Sequence, residues 1–341
     1  MLRATARLHR VRLVESITRP GEVLVIGPVL LLRELAKDLP PASGRSLHAG
    51  LKVLAGHRRR LVLRHGRGEL DVTERTAIMG ILNVTPDSFS DGGCYFEKEV
   101  AIDRGLRLRE EGADLVDVGG ESTRPGAERV PLAEELRRTL PVVQALAERD
   151  ILVSIDTSKP EVARRALEAG AAVVNDISGL REPAMCEVVT SRRAGVVIMH
   201  MQGDPQTMQQ KPQYENVVLD VTSYLAERAS AAARAGIPKE AIALDPGIGF
   251  GKTLEHNLAL IRGVNAIAGL GYPVLVGLSR KSFLGALTGG KEPRERVAAG
   301  LAALAVAVER GARVVRTHDV AETADALKVR AALVDTPSRV R

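Results

Sequence analysis

The chain has 341 residues, 45% of them hydrophobic and 26% charged, enough apolar material for a large buried core. No stretch approaches about 18 consecutive apolar residues, which argues against a membrane-spanning helix. The two cysteines, Cys94 and Cys186, are far apart and lack the spacing of a disulfide framework or a metal knuckle, a usage that suits a reducing cytoplasm. The net charge of +6 is N-terminal in origin: residues 1–75 carry 15 Lys/Arg against 7 Asp/Glu, and residues 76–341 carry 33 against 35. With no aromatic interleaving, the basic stretch reads as a solvated face rather than a nucleic-acid site.

In chain order, residues 1–58 read as an accessory segment of unassigned role. It comprises a strand at 22–27, a helix at 28–39, a break at Pro40-Pro41-Ala42-Ser43-Gly44 and a second short helix. Arg33 and Glu34 interrupt its apolar stretch, so no secretory leader is expected. Residues 61–73 alternate around His65-Gly66-Arg67-Gly68 and predict a hairpin within 59–75. From 76 to 335 one pattern repeats eight times: a short Ile/Val/Leu/Ala run closes on a polar residue, and a helix-like stretch comes after it. The runs lie at 77–83, 113–119, 151–156, 172–177, 195–200, 241–245, 273–279 and 313–317. Such runs read as buried parallel strands, and Pro131, Pro160 and Pro183 lie near helix starts, where proline is tolerated. The expected fold is α/β, a (β/α)8 (TIM) barrel with a small N-terminal α/β extension, the hairpin plugging its bottom, and a tail at 336–341. In this fold the active site lies at the C-terminal strand ends. The closing residues Asn83, Asp117, Asp156, Asn175, His200, Asp245, Ser279 and Arg316 are therefore candidates.

The loop Asn83-Val-Thr-Pro-Asp-Ser-Phe-Ser-Asp-Gly-Gly93 offers a neutral oxygen at a strand end, suited to a hard cation such as Mg²⁺, with Asp87 and Asp91 adding charge. In Asp117-Val-Gly-Gly-Glu-Ser-Thr-Arg-Pro-Gly126, Thr123 and Arg124 can bind an anion, although Arg124 could simply pair with Glu121. Asp156, Asn175 and Asp245 close three strands and together suit a flat heterocycle with N–H donors, because buried carboxylates need partners. Gly247-Ile-Gly-Phe-Gly-Lys-Thr253 is not a P-loop, since Pro246 occupies the position of its first glycine; Phe250 reads as a pocket wall. Ser279-Arg280-Lys281-Ser282 and Arg316-Thr-His318-Asp319 come at the ends of the seventh and eighth runs, the recurrent phosphate site of this fold. All four phenylalanines, Phe89, Phe96, Phe250 and Phe283, fall just after apolar runs, as if kept for the ligand face. His200 reads equally as an interior histidine or a functional one, His256 as helical and structural. No zinc spacing and no Gly-x-Ser-x-Gly elbow is present.

These segments resemble dihydropteroate synthases over about residues 78–330. The match spans residues 78–93, 117–127, Ser154-Ile-Asp-Thr157, Asn175-Asp-Ile177, His200-Met-Gln-Gly203, 244–252, 279–282 and Arg316-Thr-His-Asp-Val320. The resemblance implies a Mg²⁺-dependent transferase of folate biosynthesis, commonly homodimeric and the target of sulfonamides. It would condense 6-hydroxymethyl-7,8-dihydropterin pyrophosphate with 4-aminobenzoate, releasing pyrophosphate. It implies that Asp156, Asn175, Asp245, Lys281, Arg316 and Phe250 bind the pterin, and that Asn83, Arg124, Arg316 and His318 bind the pyrophosphate. Thr123, Pro125, Phe89 and Ser282 would form the aminobenzoate pocket, and the metal would sit on Asn83, with Asp91 and Asp117 as further candidates. Small-molecule substrates are expected, and neither nucleic acid nor membrane. Thr317 departs from the family's usual valine, and residues 1–58 lie outside the resemblance. Two alternatives share the pterin set: a methyltetrahydrofolate-dependent corrinoid methyltransferase and a non-catalytic pterin-binding paralogue.

Overall fold

Eight parallel strands close almost completely into a barrel: β5 (Ala77–Asn83), β6 (Leu115–Gly119), β7 (Val153–Asp156), β8 (Val173–Asp176), β9 (Gly195–Met199), β10 (Ile242–Asp245), β11 (Leu275–Gly277) and β12 (Val314–Thr317). The structure is a computed structural model that describes residues 12–15, 23–26, 35, 37–40, 62–85, 94–122, 129–204 and 206–334. Each strand pairs with the next in sequence and β12 returns to β5, while a single parallel bridge, Leu244 to Val274, joins β10 to β11. Helices fill the crossovers: α1 (Cys94–Glu110), α2 (Leu132–Ala147), α3 (Pro160–Glu168), α4 (Pro183–Ser191), α5 (Val217–Arg234), α6 (Leu254–Arg262), α7 (Val264–Ala268), α8 (Ser282–Leu287), α9 (Val297–Glu309) and α10 (Val320–Val334). Pro160 and Pro183 open α3 and α4, where the missing N–H costs nothing, and Pro131 caps α2.

β5 keeps its whole run, and the other strands are shorter than theirs. The seventh, expected over 273–279, keeps three residues, because Pro273 has no N–H for the ladder and Arg280 turns to φ 60° just beyond it. The sixth run does end on Asp245, but the fifth stops at Met199; His200 already leaves the sheet, its N–H bonding the Asp245 carbonyl at 3.0 Å. In the N-terminal segment, β2 (Val23–Ile26) falls inside the predicted strand, and its antiparallel partner β1 (Arg12–Glu15) has no counterpart among the predicted elements. Leu35, Lys37 and Asp38 are helical within the predicted 28–39 helix; the second short helix lies outside the described residues.

A two-residue turn, Gly66-Arg67, joins β3 (Val62–His65) to β4 (Gly68–Asp71). Leu63, Leu70 and Val72 pack against Ala77, Met79, Leu115, Val173, Val197, Ala243, Leu275 and Val314, at or near the starts of the barrel strands. The hairpin is thus the apolar floor of the barrel, which leaves the polar strand ends at the other mouth. The fit is close: a Cβ on Gly195 would stand 3.0 Å from the Arg64 carbonyl. Leu63 is 1% exposed. Its replacement by Ala is expected to lower unfolding stability by about 3 kcal/mol, from lost transfer energy plus the cavity left behind. A urea midpoint that does not move would show that the floor contributes nothing.

Candidate active site

Arg316 ties its own strand, β12, to β6 and β7, neither of which pairs with β12. From β12, its Nε donates to Asp117 Oδ2 of β6 at 2.6 Å, and one terminal nitrogen donates to Asp156 Oδ2 of β7 at 2.7 Å. Asn175 of β8 donates its amide to the same Asp117 oxygen at 3.0 Å. The second oxygen of each carboxylate, Asp117 Oδ1 and Asp156 Oδ1, is buried and has no hydrogen-bond partner among the described residues. A buried carboxylate oxygen left in this state costs free energy. Burial pushes the Asp156 carboxyl up to about 7; the Arg316 charge opposes this, and the Asp117 charge adds to it. Asp245 of β10 is raised to about 6, again by burial, against the hydrogen bond its Oδ1 accepts from the Gly247 N–H at 2.7 Å.

The Gly247-Ile-Gly-Phe-Gly loop forms one wall. Gly247 has φ 65°, and a Cβ there would lie 2.0 Å from the His200 carbonyl oxygen, so only glycine fits. A Cβ on Gly249 would stand 3.0 Å from Lys281 Cδ. This close passage sets Lys281 Nζ 4.0 Å above the Phe250 ring centre. Burial and the neighbouring Arg316 charge push the Lys281 ammonium down to about 8, with Asp245 and Asp156 opposing. Phe250 packs on Ile177, Met199, Met201 and Met208, an apolar surface beside the charged set.

At the seventh and eighth ends, Ser279 Oγ lies 3.1 Å from His318 Nδ1 and 3.1 Å from Asp319 Oδ2, and accepts the His318 backbone N–H at 3.2 Å. Arg280, held in the left-handed region, pairs with Asp319. Burial, Arg316 and Arg280 push the His318 imidazole down to about 3. Asn83 stands at the end of β5. A Cβ on the facing Gly119 would meet Asn83 Oδ1 at 3.8 Å and Asp156 Oδ2 at 3.7 Å, ordinary contact distances that set both side chains beside this residue.

Of the sequence-selected residues, Asp117, Asp156, Asn175 and Arg316 form one bonded cluster, with Asp245, Lys281 and Phe250 beside it. Ser282 opens α8 and His318 joins the Ser279 network. Phe89, Asp91, Thr123, Arg124 and Pro125, and Asp87 with them, lie outside the described residues. Glu121, weighed as a partner for Arg124, pairs with Lys159, which also binds Glu135 and the Val130 carbonyl. Phe283 corrects the view that every phenylalanine serves the ligand face: it is 5% exposed on α8, inside the hydrophobic core. His256 is structural, since it completes the capping box of α6 with Thr253.

His200 is an interior histidine. It packs edge-on to Tyr224 at 4.9 Å, and its Nδ1 lies 3.1 Å from Lys252 Nζ; burial and that lysine push the ring down to about 3. Lys252 is a residue that sequence reasoning does not single out. It is 4% exposed and reaches back to the Phe250 carbonyl at 2.8 Å, bracing the loop that carries Phe250. The one signal for it is a lone lysine closing a glycine-rich, otherwise apolar loop.

A family model described as pterin binding enzyme matches residues 79–318. The chain is 48% identical to the dihydropteroate synthase of Haemophilus influenzae over 253 residues, 74% of this chain and 92% of that protein. Among solved structures it is similar to the Xanthomonas albilineans dihydropteroate synthase with 4-aminobenzoic acid, with a TM-score of 0.77 and 48% identity over 82% of this chain and 100% of that one. It is also similar to the Burkholderia cenocepacia dihydropteroate synthase complexed with 7,8-dihydropteroate, with a TM-score of 0.73 and 49% identity over 80% and 96% of the two chains.

Proposed function

This chain belongs to the dihydropteroate synthase family of pterin-binding enzymes, and on that premise we propose how its residues divide the work of the reaction. The enzyme is a transferase of folate biosynthesis: it condenses 6-hydroxymethyl-7,8-dihydropterin pyrophosphate with 4-aminobenzoate to give 7,8-dihydropteroate and pyrophosphate. The observation that carries the residue assignment is the unpartnered, buried Asp156 Oδ1. A pterin edge presents adjacent N–H donors, which is what that oxygen lacks. Asn175, Asp245 and Lys281 hold the remaining polar edge of the heterocycle, and Phe250 walls it.

Arg316, clamped between Asp117 and Asp156, stacks on the pterin and reaches the pyrophosphate with Asn83, Arg124 and His318. Thr123, Pro125, Phe89 and Ser282 bind 4-aminobenzoate. The pterin C–O bond breaks first, because the electron-rich ring stabilises the cationic methylene. The Asp156 carboxylate offsets the transient positive charge, and the neutral arylamine then attacks. No covalent enzyme intermediate is required.

Magnesium fits the donors present. The described residues hold no cluster of three His, Cys, Asp or Glu side chains. Mg²⁺ commonly takes one or two protein oxygens and completes its shell with water and substrate phosphates. Asn83 Oδ1 beside Gly119 and the unpartnered Asp117 Oδ1 are such oxygens, and Asp91 is a further candidate. Bound there, the ion would neutralise charge developing on the leaving pyrophosphate.

The test is incubation of the protein with both substrates and Mg²⁺, with pyrophosphate and dihydropteroate measured together. Pterin binding without product would overturn the synthase reading in favour of a non-catalytic paralogue. The methyltransferase alternative has no use for the anion-binding groups after β11 and β12.

We also propose a homodimer in the cytoplasm. Leu287, Val306, Val329 and Leu333 on α8, α9 and α10 are 43–77% exposed, apolar surface that a second copy would cover. Val306→Asp is expected to halve the mass measured by light scattering. A wild-type monomer would refute the dimer.

A further inference from the structure

We propose that Ser279 and Asp319 are positioning residues that hold His318 in the tautomer with hydrogen on Nδ1, so that Nε2 meets the departing pyrophosphate as a base. The inference rests on the reading that His318 binds pyrophosphate. A serine hydroxyl has one hydrogen to donate and two lone pairs. Ser279 Oγ faces three polar atoms: Asp319 Oδ2 at 3.1 Å, His318 Nδ1 at 3.1 Å and the His318 backbone N–H at 3.2 Å.

Asp319 is an ionised acceptor. Burial alone would raise its carboxyl, but the Arg280 guanidinium holds it below the usual range. The Ser279 hydrogen therefore goes to Asp319, since the opposite choice would bring two lone-pair oxygens together at 3.1 Å. Both Ser279 lone pairs then take hydrogens from His318, one from its backbone N–H and one from Nδ1–H. This hydrogen placement follows from the bonding network. It leaves Nε2 as a lone-pair nitrogen with no partner among the described residues.

The surroundings keep the ring neutral before the ligand arrives. Arg316, Arg280 and Lys281 present positive charge, Asp319 opposes them, and Arg104 donates to the His318 carbonyl at 3.2 Å. A fully ionised pyrophosphate has acceptors only and cannot bond a lone pair. Its binding adds negative charge beside the ring and draws one proton from solvent, shared between Nε2 and a phosphate oxygen. His318 thus engages the leaving group by taking up a proton, which a side chain already carrying Nε2–H would not do.

Two measurements test this on the full chain. In protein labelled with ¹⁵N-histidine, long-range ¹H–¹⁵N correlation should show His318 protonated at Nδ1 and bare at Nε2, and Ser279→Ala should shift the population toward Nε2–H. An Nε2–H tautomer in the wild type overturns the proposal. Calorimetry of inorganic pyrophosphate with Mg²⁺, in two buffers of different ionisation enthalpy near pH 7.5, should show about one more proton taken up by the wild type than by His318→Gln. Equal uptake overturns the proposal even if the tautomer is correct. A wild type that binds no pyrophosphate, with the Nδ1–H pattern intact, instead removes the reading on which the proposal rests. If Ser279→Ala does not fold, the wild-type tautomer and the His318→Gln comparison still decide.

Discussion

Asp156→Ala is expected to raise the Kd for the pterin pyrophosphate roughly a thousandfold, about 4 kcal/mol, while the protein stays folded. The magnitude is that of two charge-assisted hydrogen bonds to a desolvated carboxylate, each worth about 1.5–3 kcal/mol. Arg316 keeps its bond to Asp117 in the variant, so the site loses an acceptor without losing its cation's partner. Arg124→Ala should mainly lower turnover and leave pterin affinity within a few-fold. Equal loss of affinity in the two variants, measured by calorimetry, would contradict the assignment.

The same carboxylate predicts a pH dependence. Its pKa is raised to about 7, so below that value the free site carries a proton that must leave before pterin N–H groups can bind. Affinity should fall about tenfold per pH unit below 7 and more steeply below about 6, where Asp245 also takes up a proton. A flat profile from pH 5 to 8 would rule out ionised Asp156 as the acceptor.

The barrel is legible in the sequence because most residues of its strands are buried, so that the strands read as largely aliphatic runs closing on or near a polar residue. Asp156, Asn175, Asp245 and Arg316 emerge from that rule alone. The same rule cannot see partners fixed by tertiary geometry. Nothing in the sequence tells that Arg316 bridges Asp117 and Asp156 from 199 and 160 residues away. Lys252 escapes it because a buried lysine is defined by its acceptors, the His200 ring and the Phe250 carbonyl, and both depend on how the β10–α6 loop folds back. Phe283 misleads because a residue just after a strand can open a helix and turn into the core. β1 is silent because four residues with only two aliphatic side chains, Arg12-Leu-Val-Glu15, carry little signal until β2 lies beside them.

Arg316→Met is expected to be the most damaging single change, and its damage should depend on pH. Arg316 is half of two ion pairs with buried carboxylates; burial disfavours its charge, and Asp117 and Asp156 more than restore it. Methionine fills similar space but leaves both carboxylates without their cation, a loss of about 3–5 kcal/mol of folding stability. It also removes about two to three orders of magnitude in kcat/KM through lost stabilisation of the leaving group. Asp156 already binds its proton more tightly folded than unfolded, and removing the opposing arginine tightens it further. A group with a raised folded pKa loses stability as pH rises from its unfolded value through its folded one. The deficit of Arg316→Met should therefore be largest at pH 8 and shrink toward pH 5, where Asp156 is neutral. Adding Asp156→Asn should recover much of the stability at pH 8 and none of the activity. Denaturant titrations of the wild type, the single variant and the double variant at both pH values measure this directly. A deficit independent of pH, or a double variant less stable than the single one, would mean that the carboxylates are not the strained partners of Arg316.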